Sequence, residues 1–169
     1  MPEIRDMIPD DPDRSLVREL FWEYLQWANA RVNEEFAVDF DIASMLEQDM
    51  ETLEKFEPPS GRLLLATTMA GQVVGIGCLK HLRDGIGEIK RMYVRPAARG
   101  TGLGRALLES LLAKAKQAGY SHVRLDSAGF MEAAHSLYRS AGFREIESYP
   151  ESEIPPEFQK HWVFMEREV

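Results

Sequence analysis

Three glycines and five cations fall together between Glu88 and Arg105, in the string EIKRMYVRPAARGTGLGR. From Lys90 to Arg105 the chain carries Lys90, Arg91, Arg95, Arg99 and Arg105 and no acid. Gly100, Gly102 and Gly104 allow a close approach to a ligand and let several backbone N–H groups aim at one point. A helix starting at the last glycines adds about half a positive charge from its dipole. Together these features describe an anion site, and a diphosphate would satisfy its donors. The competing reading is a flexible loop with charged neighbours. The glycines and the helix start would hold a diphosphate largely without the five cations.

The elements that must hold this turn follow from periodicity. A short strand is expected over residues 3–8, stopped by the turn-prone PDDPD. Residues 14–32 place Leu16, Leu20, Tyr24, Trp27 and Arg31 at helical spacing, with Asp13 as N-cap. Residues 41–56 repeat the pattern, with Asp41 as N-cap and Pro58-Pro59 forbidding continuation. The period then changes. Residues 62–68, 73–82 and 87–96 read as three strands joined by short turns, an antiparallel meander ended by Pro96. The segment after the glycines is a helix closed by Gly119, followed by a strand at 121–126. A second helix spans Met131 to Ala141. Closing strands at 143–147 and 160–167 flank a proline-broken acidic loop, SYPESEIPPEF. The expected fold is a mixed α/β sheet in one domain over residues 1–169, with antiparallel strands first and a central βαβ unit after them.

Composition narrows the partners. The 169 residues carry a formal net charge of −8 and a sequence pI near 5.1. That balance argues against general affinity for nucleic acid or anionic membrane, which need a basic field. Cys78 is the single cysteine, which excludes an intrachain disulfide and a cysteine zinc site. It reads as a small apolar strand residue. His81, His122, His135 and His161 have no metal-type spacing and read as ordinary strand or helix residues. MPEIRDMIPDDPDR has no apolar core of signal-peptide length, and no segment approaches the roughly 20 apolar residues of a membrane span. A cytoplasmic protein is expected, with no metal.

The glycine turn admits a dinucleotide reading, because Asp126 follows at roughly the 20-residue separation of a ribose partner. The spacing is GxGxG rather than GxGxxG, however. EIKRMYV also reads as too polar for the buried first strand of a parallel sheet. A phosphate-binding P-loop is excluded because no GK[ST] follows the glycines. The turn instead resembles that of the GNAT acyl-CoA-dependent N-acetyltransferases. Their motif is Arg or Gln, two residues, Gly, one residue, then Gly or Ala. Arg99, Gly102 and Gly104 match it in full, and YVRP before it and HSLYRSAGF after it are also similar to the family.

That resemblance implies a GNAT-like fold with a splayed cofactor cleft, and acetyl-CoA as acyl donor. The diphosphate is expected on the backbone of Arg99, Gly100, Thr101, Gly102, Leu103, Gly104 and Arg105. The pantetheine arm is expected to pair with Met92, Tyr93 and Val94 like an extra strand. Tyr138 matches the tyrosine near the CoA sulfur, where a hydroxyl eases thiolate departure; its other reading is a core-anchoring helix tyrosine. Glu88 is the candidate base for the acceptor amine, or else a surface charge paired with Lys80, Lys90 or Arg83. One departure stands out: Met131 occupies the place of an asparagine that contacts the cofactor in many members. That leaves its backbone, with Asp126 and Ser127 before it, to line the cleft.

For the acceptor, Tyr24, Trp27 and Tyr149 are the candidate pocket walls, with core packing the other reading of the first-helix aromatics. Residues 34–57 hold nine acids and one base, and Glu145 to Glu157 holds five acids and no base. If both border the cleft, they favour a cationic acceptor such as an amine or a lysine side chain; otherwise they are a solvated face. The expected activity is direct acetyl transfer to a primary amine of a small molecule or peptide, by a monomer or homodimer. The alternative is a non-catalytic acyl-CoA-binding regulatory or structural module of the same fold.

Overall fold

The computed structural model describes residues 3–7 and 12–169. Ile8, the expected end of the first strand, and Pro9, Asp10 and Asp11 of the expected turn lie outside the described residues. The elements in chain order are β1 (Glu3–Asp6), α1 (Arg14–Phe36), α2 (Ile42–Glu51), β2 (Arg62–Thr67), β3 (Val73–Arg83) and β4 (Ile86–Val94). They continue with α3 (Leu103–Gln117), β5 (His122–Ala128), α4 (Glu132–Ser140), β6 (Arg144–Ile146) and β7 (Trp162–Glu168). One seven-stranded sheet runs β1-β2-β3-β4-β5-β7-β6. The meander β1 to β4 is antiparallel throughout, and α3 crosses over to place β5 parallel to β4. The last strand, β7, inserts between β5 and β6.

Alternation along β2 shows how the sheet buries both faces. Leu63 and Leu65 join Val17, Leu20, Phe21 and Leu25 of α1 in one core. Leu64 and Ala66 join Leu107, Leu108 and Leu111 of α3 in the other. Cys78 is fully buried in β3 with the α1 core, as its strand reading expects. Among the described residues no helix is long and apolar enough to cross a membrane.

Three local expectations change. Asp13 stands at the N-cap of α1, but its side chain makes no capping bond and pairs with Arg5 instead. The second helix ends at Glu51, where Thr52 donates its hydroxyl to the Gln48 carbonyl at 2.7 Å, and residues 53–56 form a separate 3-10 turn. Asp41 does cap α2, accepting from the Ser44 N–H at 3.1 Å. The third change concerns β4. Its segment EIKRMYV reads as too polar for a buried strand, yet Glu88, Lys90 and Arg91 are all buried. Charge partners brought from distant loops offset the desolvation that the local sequence alone leaves unmet.

Two irregularities of β4 open and orient the sheet at its centre. Its register with β5 covers only Ile86–Glu88 against His122–Arg124. Beyond Glu88 the strands part, while β5 stays paired with β7 along its whole length. Against β3, Tyr93 faces Ile76 and Lys90 faces Cys78, so Arg91 and Met92 together oppose Gly77. This is a β-bulge, with Arg91 in the left-handed region at φ 54°. The extra residue lets Lys90 and Arg91 both reach Glu153, while Met92 packs against the α3 core.

Candidate active site

The parting of β4 and β5 opens a cleft of about 490 Å³. Its walls are Met92, Tyr93 and Val94 of β4, Leu125 to Ser127 of β5, and residues 130–134 with Leu137 and Tyr138 around α4. Tyr24, Trp27 and Arg31 of α1 close one side. At one end lies the glycine turn. Gly100 and Gly102 have φ +75° and +86°, conformations that only glycine adopts readily. A Cβ at either would meet no atom within 4 Å. Among the described residues, the N–H groups of Gly100 through Arg105 find no protein acceptor; the first paired one is Ala106, donating to the Gly102 carbonyl at 3.0 Å. Six consecutive unpaired donors at a helix N-terminus form an anion cradle made of backbone.

The side chains at the turn are partly engaged. Arg99 donates Nε to the Val94 carbonyl at 2.9 Å, and its guanidinium lies 5.1 Å from the Trp27 ring and 5.6 Å from the Tyr93 ring. One backbone acceptor of the expected pantetheine edge is therefore shared with Arg99. Arg105 donates to the Ser140 hydroxyl at 2.7 Å. The other three cations of the basic string lie elsewhere. Arg95 pairs with Glu19 and Glu23 of α1, and Lys90 and Arg91 belong to a buried network.

A second cavity of about 380 Å³ lies between α1, α2, the end of β5 and residues 153–155. Tyr24, Arg91, Asp126, Ser127, Met131 and Glu153 line both spaces and form the junction. The Tyr138 and Tyr24 hydroxyls make no hydrogen bond among the described residues, and both line the cleft. Burial pushes both phenols up, so each keeps its proton across the physiological range.

The sequence model of the Acetyltransferase (GNAT) family matches residues 16–143. The chain belongs to the GNAT acetyltransferase family. It is 33% identical over 151 residues to an uncharacterised N-acetyltransferase of Schizosaccharomyces pombe, covering 88% of this chain and 85% of that one. It is 40% identical over 98 residues to the IAA acetyltransferase of Azospirillum brasilense, covering 57% of this chain and 61% of that one. Its fold is similar to that of the PaiA N-acetyltransferase of Thermoplasma acidophilum, solved in complex with coenzyme A. The TM-score there is 0.74 at 19% identity, over 100% of this chain and 99% of that one. This protein is an N-acetyltransferase, and acetyl-CoA-dependent N-acetyl transfer is the general activity of its family.

Of the residues expected in the acetyltransferase site, Thr101, Gly102, Leu103 and Arg105 stand on the glycine turn beyond the residues that line the cleft, and Glu88 and Tyr149 lie outside both spaces altogether. Glu88 is 1% exposed and borders a separate enclosure of about 50 Å³. Its carboxylate accepts from the Tyr149 hydroxyl at 2.7 Å and lies 4.0 Å from both Lys80 and Lys90. Burial raises it above the ordinary carboxylate range, against the pull of Lys90. It is therefore a buried group rather than a surface charge, and Arg83 pairs with Glu151 instead. Tyr149, expected as an acceptor wall, is spent on Glu88 and packs edge-on to Phe164 at 5.4 Å. Tyr24 and Trp27 do line the cleft. Met131 lines both spaces, and its N–H donates to Ala128 at 3.0 Å.

The junction owes its charge to residues with little signal in the sequence. Lys90 is 2.8 Å from Glu153 and 3.9 Å from Asp126. Arg91 donates Nε to Asp49 at 2.7 Å and both terminal nitrogens to Glu153, at 2.7 and 3.1 Å. Burial opposes the charge of Glu153, yet Lys90 and Arg91 hold its carboxyl well below the usual range. Asp126 also accepts from the Ser152 hydroxyl at 3.2 Å. The only signal for Glu153 was an acid inside a proline-broken loop. His135 is buried with Nε2 3.0 Å from the Ser127 hydroxyl, a paired core histidine.

Proposed function

We propose that this acetyltransferase moves an acetyl group from acetyl-CoA to the primary amine of a small molecule or peptide by direct attack, with the amine entering through the second cavity. The observation that carries the reading is that one cleft brings together unmatched donors and an acid. The turn whose Gly100 and Gly104 line it carries six unpaired N–H groups, and the unpaired, neutral phenol of Tyr138 lines the same cleft. The orphan N–H groups fit a diphosphate, and the open side of β4 fits a peptide-like arm that needs amide partners.

Acetyl-CoA supplies the activated acyl carbonyl. The chain does the rest by holding and moving protons. The backbone of residues 100–105 holds the diphosphate, with Arg99 and Arg105 adding charge. Met92 to Val94 and the backbone at Met131 hold the arm. Tyr138 Oη, protonated by burial, donates to the departing sulfur. Asp126, at the junction, holds the incoming ammonium and accepts one of its protons; the neutral amine then forms the C–N bond as the C–S bond breaks, and the proton the nitrogen sheds on becoming an amide restores the Tyr138 phenol. Glu88 acts at one remove: it helps fix Lys90, which faces Asp126. It is a positioning residue in this reading, not the base.

Tyr138→Phe tests the proposal, because it keeps the ring in the core and removes only the hydroxyl. Turnover, measured as CoA release with an accepted amine, is expected to fall by roughly 100-fold. Acetyl-CoA affinity by calorimetry is expected to stay unchanged. Wild-type turnover in that variant would remove the phenol from the chemistry.

A further inference from the structure

We infer that the second cavity selects a small primary amine with one aromatic body and no carboxylate, an aralkylamine. This rests on the proposed acetyl transfer to an amine and names the substrate class that the acceptor side of the cleft admits. The position comes first. The cavity meets the cleft at Tyr24, Asp126 and Met131, so a body seated in it presents its amine to the cleft beside a carboxylate.

The walls define the body. Leu25, Val32 and Ile154 are buried around the cavity, and Phe40 meets Trp162 edge to face at 5.9 Å. Met45 and Met131 add soft thioethers that pack well on aromatic rings. A volume of about 380 Å³ lies at the small end of the range of small-molecule sites.

The charges define what the body lacks. Among the described residues, Arg91 is the one cation lining the cavity, and its Nε and both terminal nitrogens are already engaged by Asp49 and Glu153. An acceptor carboxylate would find there one cation, each of whose nitrogens already serves Asp49 or Glu153, and would face Asp41, Asp126 and Glu153. A second ammonium is equally unprovided for. Asp41 is occupied in capping α2, accepting from the Ser44 N–H at 3.1 Å and its hydroxyl at 2.7 Å. Glu153 is held by Lys90 and Arg91. Asp126, whose nearest ionic partner is Lys90 at 3.9 Å, is the carboxylate left for one ammonium.

The experiment compares kcat/KM, read as CoA release, for 2-phenylethylamine, phenylalanine, phenylalaninamide, 1,4-diaminobutane and aspartate. 2-Phenylethylamine is expected to exceed phenylalanine and aspartate by roughly 30-fold or more, since an uncompensated charge is rejected strongly by a built site. Ala28→Phe, which fills the cavity from α1, is expected to raise KM for 2-phenylethylamine about 10-fold. Calorimetric acetyl-CoA affinity is expected to hold in that variant, which also shows that it folds. Met45→Lys is the second variant, with the same expectation from charge rather than bulk. A preference for either amino acid, for the diamine or for the peptide-like amide overturns the inference while leaving amine acetylation standing. So does an unchanged KM in both variants. Acetyl-CoA binding with no amine accelerating CoA release overturns the proposed acetyl transfer, and the inference with it.

Discussion

Lys90-Arg91 and Arg99 to Arg105 belong to one basic string in the sequence and do opposite work in the fold. The first pair is buried and saturated: between them, the two cations engage Glu153, Asp126 and Asp49 and leave Arg91 no donor nitrogen free. The second stretch is open, with six backbone donors unmatched among the described residues and no atom near the missing side chains of Gly100 and Gly102. The difference teaches that charge is a poor guide to binding within such a string. A cation whose partners come from the same chain builds structure, whereas a donor left without a partner is available to a ligand. The bulge at Arg91 aims the first stretch inward, and the helix start keeps the second facing the cleft.

The largest effect that would sharpen this contrast is on stability. Arg91→Met removes the side chain that joins Asp49 to Glu153 and leaves a 4%-exposed Asp49 with Lys55. Breaking a buried pair by removing one partner is expected to lower unfolding free energy by about 3 kcal/mol, since Lys55 and Lys90 stay to compensate in part. Urea unfolding measures it. A loss within the range of an ordinary surface substitution would mean that the buried network is not structural and that the two stretches do not differ in kind.

The next effect is on ligand affinity and sets backbone against side chain at the turn. Gly102→Asp puts a like charge in the cradle, on a residue at φ +86°. Acetyl-CoA affinity is expected to weaken by roughly 10-fold or more, while the left-handed strain costs about 1 kcal/mol of stability. Gly102→Ala carries the strain without the charge and separates the two. Arg105→Ala removes a half-exposed cation already bonded to Ser140, and is expected to weaken binding by only about 3-fold, less at high salt. Calorimetry that ranks Arg105→Ala above Gly102→Asp would break the comparison, because the cation and not the backbone would then hold the anion.

How much of this was legible depended on whether the cause was local. The switch from helical to strand period around residue 60 and the glycine turn are local patterns, and both lie where expected. So does the Asp41 cap. The cap expected of Asp13 failed because Arg5, eight residues away, draws its carboxylate off. The place of β7 between β5 and β6 is a matter of chain return, which no run of seven residues encodes. The bulge was hidden because Arg91, not a glycine, takes the left-handed turn. Glu88 was legible as chemically interesting, but its surroundings were not: the string shows its proximity to the turn but not the Tyr149 hydroxyl that arrives from 61 residues away. At the junction, Asp126 and Glu153 meet through Lys90, a contact across three separate segments.

The smallest expected effect concerns the proton on Glu88 and tests whether the saturated stretch is satisfied to its edge. Burial raises this carboxyl above its ordinary range despite Lys90, the Tyr149 hydrogen bond and Lys80. A folded-state pKa above the unfolded one means that the folded protein binds the proton more tightly. The stability linked to that proton is then fully present below the unfolded carboxylate range, and it is lost as pH rises through the raised value. Glu88→Gln mimics the protonated form and keeps an acceptor for Tyr149. The stability of wild type minus that of Glu88→Gln is therefore expected to fall as pH rises from the ordinary glutamate range upward, because the other carboxylates titrate alike in both proteins. Urea unfolding at a series of pH values reads this directly. A difference that grows with pH would mean that Lys80 and Lys90 over-compensate the burial. Glu88 would then be a fully ionised member of the network, and the boundary between the saturated and the open stretch would have to be moved toward the cleft.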